Sequence, residues 1–224
     1  MIMKVQIYTM QSVEEALQIA ALGVDHLGLT PSQIGLPGEI DFWTAREIVE
    51  AVADSAVCVA LTVETHPKEI IRMARAVQPD ILHLCSLENS FLPDDVRRLR
   101  DELPDLPIMQ AISVTGPEAL ESALAYQGVA EYLILDTQAP DIAGIGASGQ
   151  THDWRVSQEI VQEVKVPVIL AGGLSPDNVA QAIQEVDPWG VDSLTHTNQL
   201  LPEGGFRKDL VKIKAFQEAA KGTP

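Results

Sequence analysis

The sequence predicts an α/β protein built as one (β/α)8 barrel, the TIM-barrel architecture, and three observations carry that expectation. Eight short β-rich runs recur along the chain, and the apolar spacing between them changes to a helical period. The runs are near-continuously apolar, as expected of parallel strands covered by helices. The 224 residues, 46% of them hydrophobic, are enough for one sizeable core and fit the compact end of that architecture. The expected organisation is a single barrel domain over 1–224.

In chain order the runs are VQIYTM (5–10), HLGLT (26–30), AVCVALTV (56–63), ILHLC (81–85), PIMQAIS (107–113), YLILD (132–136), PVILAGG (167–173) and GVDSLT (190–195). After the first, Val13, Ala16, Leu17 and Ala20 follow the i, i+3, i+4, i+7 rule of a helix face. Val179, Ala182, Ile183 and Val186 repeat it after the seventh. SPDN at 175–178 offers a capping Ser before Pro at a first helical position, and LPDD at 92–95 gives an acidic first turn. No linker or low-complexity segment interrupts the series. The spacing of the βα units is not that of a solenoid repeat.

Composition removes several function classes. Thirty-two acidic residues against 15 basic ones leave a formal charge of −17, with no basic cluster, so nucleic acid and anionic membranes are poor partners for this acidic protein. Two cysteines, Cys58 and Cys85, are too few for a disulfide framework and fit a reducing, cytoplasmic setting. The N-terminus lacks the pattern of a signal peptide, and no apolar run has the length of a membrane span.

In such barrels chemistry sits at the C-terminal ends of the strands and on the loops that follow them. Residues two apart share a face of a strand. Gln6 with Tyr8, His83 with Cys85, and Ile134 with Asp136 are therefore candidate inward sets. They place Tyr8, Glu64, Cys85 and Asp136 at the mouth and His83 one layer down. His83, Cys85, Asp136 and His152 match no recognised ligand spacing, and neither metal nor cofactor is expected. Asp25 and Asp192 read as structural carboxylates bonded to loop backbone, and Trp154 as a packing anchor at a helix start. The glycine-rich loop 137–152 has the length and composition of a lid.

Over nearly its whole length the chain resembles the phosphoribosylanthranilate isomerase family of tryptophan biosynthesis. LDTQAPDIAGIGASGQTHDW is similar to that family's LDT followed by GG[ST]GxxFDW, and VILAGGLSPDNVAQAI to its LAGGLxPxNVxxAI. VQIYTMQSVEEALQIAALGVDHLGL aligns without gaps with VKICGITxxEDAxxAxxxGADxxGF, and GVDSLTHTNQ stands in the place of VDVSSGVE. The resemblance implies a cofactor-free Amadori rearrangement of an aminoaldose phosphate, with an acid protonating the ring oxygen and a base moving a proton from C2. It assigns the acid to Asp136. It also implies a phosphate seat at Gly172 and Gly173, with Gly149 of the loop beside it. On the strand-8 side Leu194-Thr195-His196 replaces the family's SSG, a change that keeps the Thr195 hydroxyl, loses the other and puts the His196 imidazole, a candidate donor, where glycine stands.

Three further stretches depart from the pattern. Tyr8 stands where the family has the cysteine base of KICG, with Gln6 for its Lys and Thr9 for its Gly. Gly38 falls near the family's carboxylate-binding arginine, and no Arg or Lys lies between Lys4 and Arg46. ILHLCSLE replaces VQLHGxE, so that His83, Cys85 and Ser86 take the Gln, His and Gly positions. Tyr8, Cys85 and His83 are accordingly the candidates to complete the chemistry opposite Asp136. A phenol, with a reference pKa near 10, is a poor base at neutral pH unless perturbed. These departures lead to the expectation of an intramolecular aldose–ketose isomerase acting on a small anionic, sugar-like substrate other than the family's standard one. Authentic phosphoribosylanthranilate isomerase activity with a substituted base, and a non-catalytic ligand-binding or scaffold barrel, are the alternatives. A monomer or homodimer fits either enzyme reading.

Overall fold

The computed structural model describes residues 2–87, 90–137, 144–146 and 149–222. Its elements run β1 (Lys4–Tyr8), α1 (Val13–Ala21), β2 (His26–Leu29), α2 (Phe42–Val52), β3 (Val57–Thr62), α3 (Pro67–Val77), β4 (Ile81–Leu84) and α4 (Pro93–Glu102). They continue as β5 (Ile108–Ser113), α5 (Ala119–Tyr126), β6 (Tyr132–Asp136), α6 (Trp154–Glu163), β7 (Val168–Leu170), α7 (Val179–Val186) and β8 (Gly190–Ser193). A hairpin of β9 (Asn198–Leu200) and β10 (Phe206–Lys208) leads into α8 (Leu210–Lys221). Strands β1 to β8 pair in sequence order and close into a barrel. Closure is made by parallel pairing of β1 with β8, Lys4 against Gly190 through Ile7 against Ser193.

Apolar strands on both faces give two cores. Between barrel and helices lies a layer that includes Leu27, Leu133, Leu135 and Leu170, all fully buried. Each such side chain stabilises the fold by about 1.5–3 kcal/mol relative to exposure. The barrel interior holds a smaller cluster, including Val59, Ile81, Met109, Ile134 and Ile169, with Tyr8 and Cys85 at its upper edge.

The helices follow their sequence signals with two shifts. Pro93 opens α4, and Asp95 turns back to accept from the Leu92 N–H at 3.0 Å. In α7 Val179, Ala182, Ile183 and Val186 are buried as their spacing requires, but the helix starts at Val179 and not at Pro176. Ser175 and Asn178 instead form the preceding turn, the Asn178 side chain accepting from the Ser175 N–H at 2.8 Å. In α1 the buried stripe is Ala16, Ile19 and Ala20, whereas Leu17 is 45% exposed.

Strand alternation places one mouth residue differently from expectation. Val59 and Leu61 belong to the interior cluster while Cys58 and Ala60 pack outward. Val63 therefore continues the inward face and lines the mouth, and Glu64 turns to a neighbouring cleft beside α3. At the opposite end of the barrel Asp25 accepts from the Val5 N–H at 3.0 Å and pairs with Lys4 and Lys221 at 3.0 and 2.9 Å. That carboxylate is structural, as its sequence position suggests.

Candidate active site

The C-terminal ends of the strands surround a cavity of about 340 Å³. Its floor and walls bring together Tyr8 of β1 with Thr9 just beyond it, His83 of β4 with Cys85 just beyond it, Asp136 of β6 and Asp192 of β8. Ile34, Leu36, Leu61, Val63 and Ile134 supply an apolar side. No Lys or Arg lines it among the described residues.

Asp136 ends β6, where the strand delivers it to the mouth. Its carboxyl opens partly to the cavity, yet protein surrounds it, and this desolvation pushes it up to about 7. The Thr137 N–H donates to Asp136 Oδ1 at 2.6 Å and opposes that shift. Near pH 7 a substantial fraction of this group carries a proton. The same cavity also holds a hydroxyl–imidazole pair, with Tyr8 Oη and His83 Nδ1 2.8 Å apart. Both residues are buried. Burial raises the phenol well above its ordinary value and lowers His83 to about 3, so both are neutral. His83 Nε2 and Thr9 Oγ1 are buried and have no hydrogen-bond partner among the described residues. Gly28 makes the room: a side chain there would strike the Tyr8 ring.

Cys85 is differently engaged. Its thiol donates to the Ile145 carbonyl at 2.7 Å, and burial pushes its pKa up to about 12. Asp192 departs from the loop-bonded role expected of it. Its carboxyl accepts from Gln6 Nε2 at 3.1 Å, and Gln6 in turn meets His26 Nδ1 at 3.2 Å, so a buried polar line runs down the barrel. Burial and the facing Asp136 raise Asp192 to about 8. With two carboxyls holding protons near neutrality, a mouth without a cation is far less negative than its composition implies.

Beside this cavity a small polar cleft is bordered by Asp136, Gly149, Gly172, Gly173, Thr195, His196 and Asp192. The β7 turn is closed to side chains. Gly172 and Gly173 have φ of 81° and 63°, and a Cβ on Gly173 would lie 2.7 Å from Gln150 C and Thr151 N. His196 Nε2 lies 3.1 Å from the Gly149 carbonyl, so the imidazole donates to loop backbone. Gly38 is equally closed, with φ of 66° and Thr9 and Phe206 packed over it. A side chain at this place is strained by the positive φ and has to displace the side chains of Thr9 and Phe206.

The chain that forms this site matches the family model of N-(5'-phosphoribosyl)anthranilate isomerase over residues 5–218. The chain belongs to that family. Phosphoribosylanthranilate isomerase of Methanocella arvoryzae is 34% identical over 220 residues, covering 98% of this chain and 99% of the relative. The isomerase of Haloferax volcanii is 33% identical over 205 residues, covering 91% and 86%. Among solved structures, the isomerase of Thermotoga maritima superposes with a TM-score of 0.79 at 27% identity, covering 98% of this chain and 99% of that one. A phosphoribosylanthranilate isomerase in complex with reduced 1-(o-carboxyphenylamino)-1-deoxyribulose 5-phosphate superposes with a TM-score of 0.77 at 25% identity, with the same coverage. The fold expectation and the family resemblance are both met. The expectation of a substrate other than the family's standard one finds no support in these relatives. Authentic isomerase activity with a substituted base fits them better.

Set against the isomerase motifs, sequence reasoning missed Lys208. Its ammonium is buried, donates to the Tyr8 carbonyl and, at 2.7 Å, to Asn198 Oδ1, and is lowered by burial to about 7. It fastens the end of β1 to the β9–β10 hairpin. No group of three or more His, Cys, Asp or Glu is placed to hold a metal among the described residues. No helix among them is long and apolar enough to cross a membrane. Of the loop read as a lid, 138–143 and 147–148 lie outside the described residues.

Proposed function

We propose that the protein isomerises N-(5'-phosphoribosyl)anthranilate to 1-(o-carboxyphenylamino)-1-deoxyribulose 5-phosphate, with Asp136 as general acid and Tyr8, backed by His83, as base. One observation carries the reading: a carboxyl raised into the neutral range shares one cavity with a hydroxyl–imidazole pair, next to a glycine turn suited to an anion. Asp136 gives its proton to the ring oxygen, the C1–O bond breaks, and the nitrogen lone pair forms the C1=N bond. Tyr8 oxygen then takes the C2 proton while its own proton passes to His83 Nδ1. The C2–H electrons form the C1–C2 double bond, and the C=N electrons return to nitrogen. Tautomerisation of this enol gives the ketose.

The relay answers the objection to a phenolic base, because Tyr8 never carries charge. The imidazolium formed at His83 is costly in a buried site, but the Asp136 carboxylate appears on the same cavity at the same stage. Opposite charges in a medium of reduced dielectric offset much of that cost. The phosphate is received by the backbone N–H groups of Gly172 and Gly173, with the Thr195 hydroxyl beside them. The partner this requires is a small anionic substrate, and no step calls for a cofactor.

Purified protein should convert the substrate and restore growth of a tryptophan auxotroph lacking this isomerase. Asp136→Asn should lose at least about 10²-fold in kcat. Because the acid must be protonated, kcat/KM should fall as pH rises through about 7. A folded wild-type protein that neither turns the substrate over nor complements overturns the reading. Binding of the reduced product analogue without turnover would instead place the protein with barrels that hold a ligand and do no chemistry.

A further inference from the structure

We propose that His152 is a positioning residue, whose imidazole sets the acid Asp136 and the backbone over the phosphate seat in one arrangement. Its two nitrogens make directional bonds that can be read in full. Thr137 has one hydroxyl proton, which goes to the Gln150 carbonyl at 3.0 Å. Thr137 Oγ1 must then accept from His152 Nδ1–H, 3.1 Å away. In the neutral ring this leaves His152 Nε2 as acceptor for the hydroxyl of Ser157, buried on α6, at 2.7 Å. The chain of donation runs from Ser157 through His152 and Thr137 to Gln150. Burial supports the neutral ring, holding His152 at about 4.

Both ends of the chain reach the site. The Thr137 N–H donates to Asp136 Oδ1 at 2.6 Å. Gln150 and Thr151 press on Gly173. A Cβ added to Gly172 would sit 2.8 Å from Thr137 Oγ1, 3.0 Å from His152 Nδ1 and 3.3 Å from Asp136 Oδ1. Acid, threonine, imidazole and seat glycine thus converge on one point. The family's loop carries Phe in this place, in its FDW, and an aromatic hydrocarbon can fill the space but cannot direct Thr137. In this chain α6 is linked to the acid through His152 and then Thr137, whose backbone N–H bonds Asp136.

The test uses the full chain with His152→Phe, His152→Asn, Thr137→Val and the Thr137→Val/His152→Phe double variant. Two readouts are taken: titration of the Asp136 carboxyl by ¹³C NMR, and kcat and KM for N-(5'-phosphoribosyl)anthranilate. The kinetic arm rests on the proposed function, but the titration does not, so a wild-type protein without turnover still leaves the inference open to test. Asp192 and Cys85 face Asp136 and are unchanged in every variant. His152→Phe should raise the Asp136 midpoint, because the amide donation that favours the carboxylate is loosened, and should lower kcat about tenfold or more. His152→Asn places an N–H near the Nδ1 position and should recover most of both. Thr137→Val should reproduce the Phe variant, and the double variant should be no worse than either single one. A folded His152→Phe protein with wild-type titration and kcat overturns the proposal. So do equal losses in the Asn and Phe variants, or additive losses in the double one. Should His152→Phe not fold, Thr137→Val, close in shape to the native side chain, decides by the same two readouts.

Discussion

At the scale of single residues, the site is governed by which groups burial leaves neutral. Asp136 and Asp192 are driven toward the protonated form, His83 is driven toward the uncharged ring, and Tyr8 and Cys85 keep their protons. A mechanism for this mouth must begin from neutral acid and neutral base and create its charges as a pair. Tyr8 and Cys85 then divide by their bonds. The phenol meets an imidazole nitrogen that can take its proton, whereas the thiol meets a carbonyl that cannot. Tyr8→Phe should therefore cost at least about 10²-fold in kcat with a small change in KM, and Cys85→Ala much less. Steady-state kinetics of the two variants decides the matter. The reverse order would move the base to sulphur.

At the scale of elements, the turn after β7 is the part most tightly specified by backbone. Gly173→Ala at φ 63° must push its methyl against Gln150 and Thr151 backbone, which cannot swing aside as a side chain tip would. We expect KM for the phosphorylated substrate to rise at least tenfold and inorganic phosphate to lose its competition, both measurable in the same assay. An unchanged KM would show that the phosphate does not use this turn. This turn was legible in the sequence, as were all eight barrel strands, because near-continuous apolar runs separated by helical spacing leave few other folds. The phase of β3 was not. AVCVALTV is apolar on both faces, so alternation carries no sign of which residues point inward, and Glu64 was expected at a mouth that Val63 lines. Asp192 reads as a loop-bonded carboxylate because only the closed barrel brings it against Gln6 and the cavity. The β9–β10 hairpin and Lys208 were also hidden. A lysine's burial is decided by its partners, and the Tyr8 carbonyl lies 200 positions away in sequence.

For the whole molecule, the excess of acid sets how its stability answers to salt. Pairing every basic side chain with one carboxyl leaves 17 carboxyls, of which Asp136 and Asp192 are held toward the protonated form, and an accessible surface of 10457 Å² shared among the other 15 gives each about 700 Å². That area corresponds to a mean spacing of roughly 25 Å, within the Debye length of about 30 Å at 0.01 M salt and well beyond the length of about 10 Å at 0.1 M. Self-repulsion is therefore felt at low ionic strength and largely screened by 0.1 M. The exposed ion pairs, such as Arg72–Glu69 and Lys214–Glu218, are weakened over the same range, but each contributes only about 0–1 kcal/mol. Repulsion summed over the excess charge outweighs them. The melting temperature should rise between 0.01 and about 0.1–0.15 M monovalent salt and then flatten, to the same degree in sodium and potassium chloride. Calorimetry across that series checks it. A flat or falling curve at low salt would mean that the surface pairs dominate. A rise that continues steeply toward molar salt would mean that specific ion binding or strengthened apolar burial is at work in place of screening.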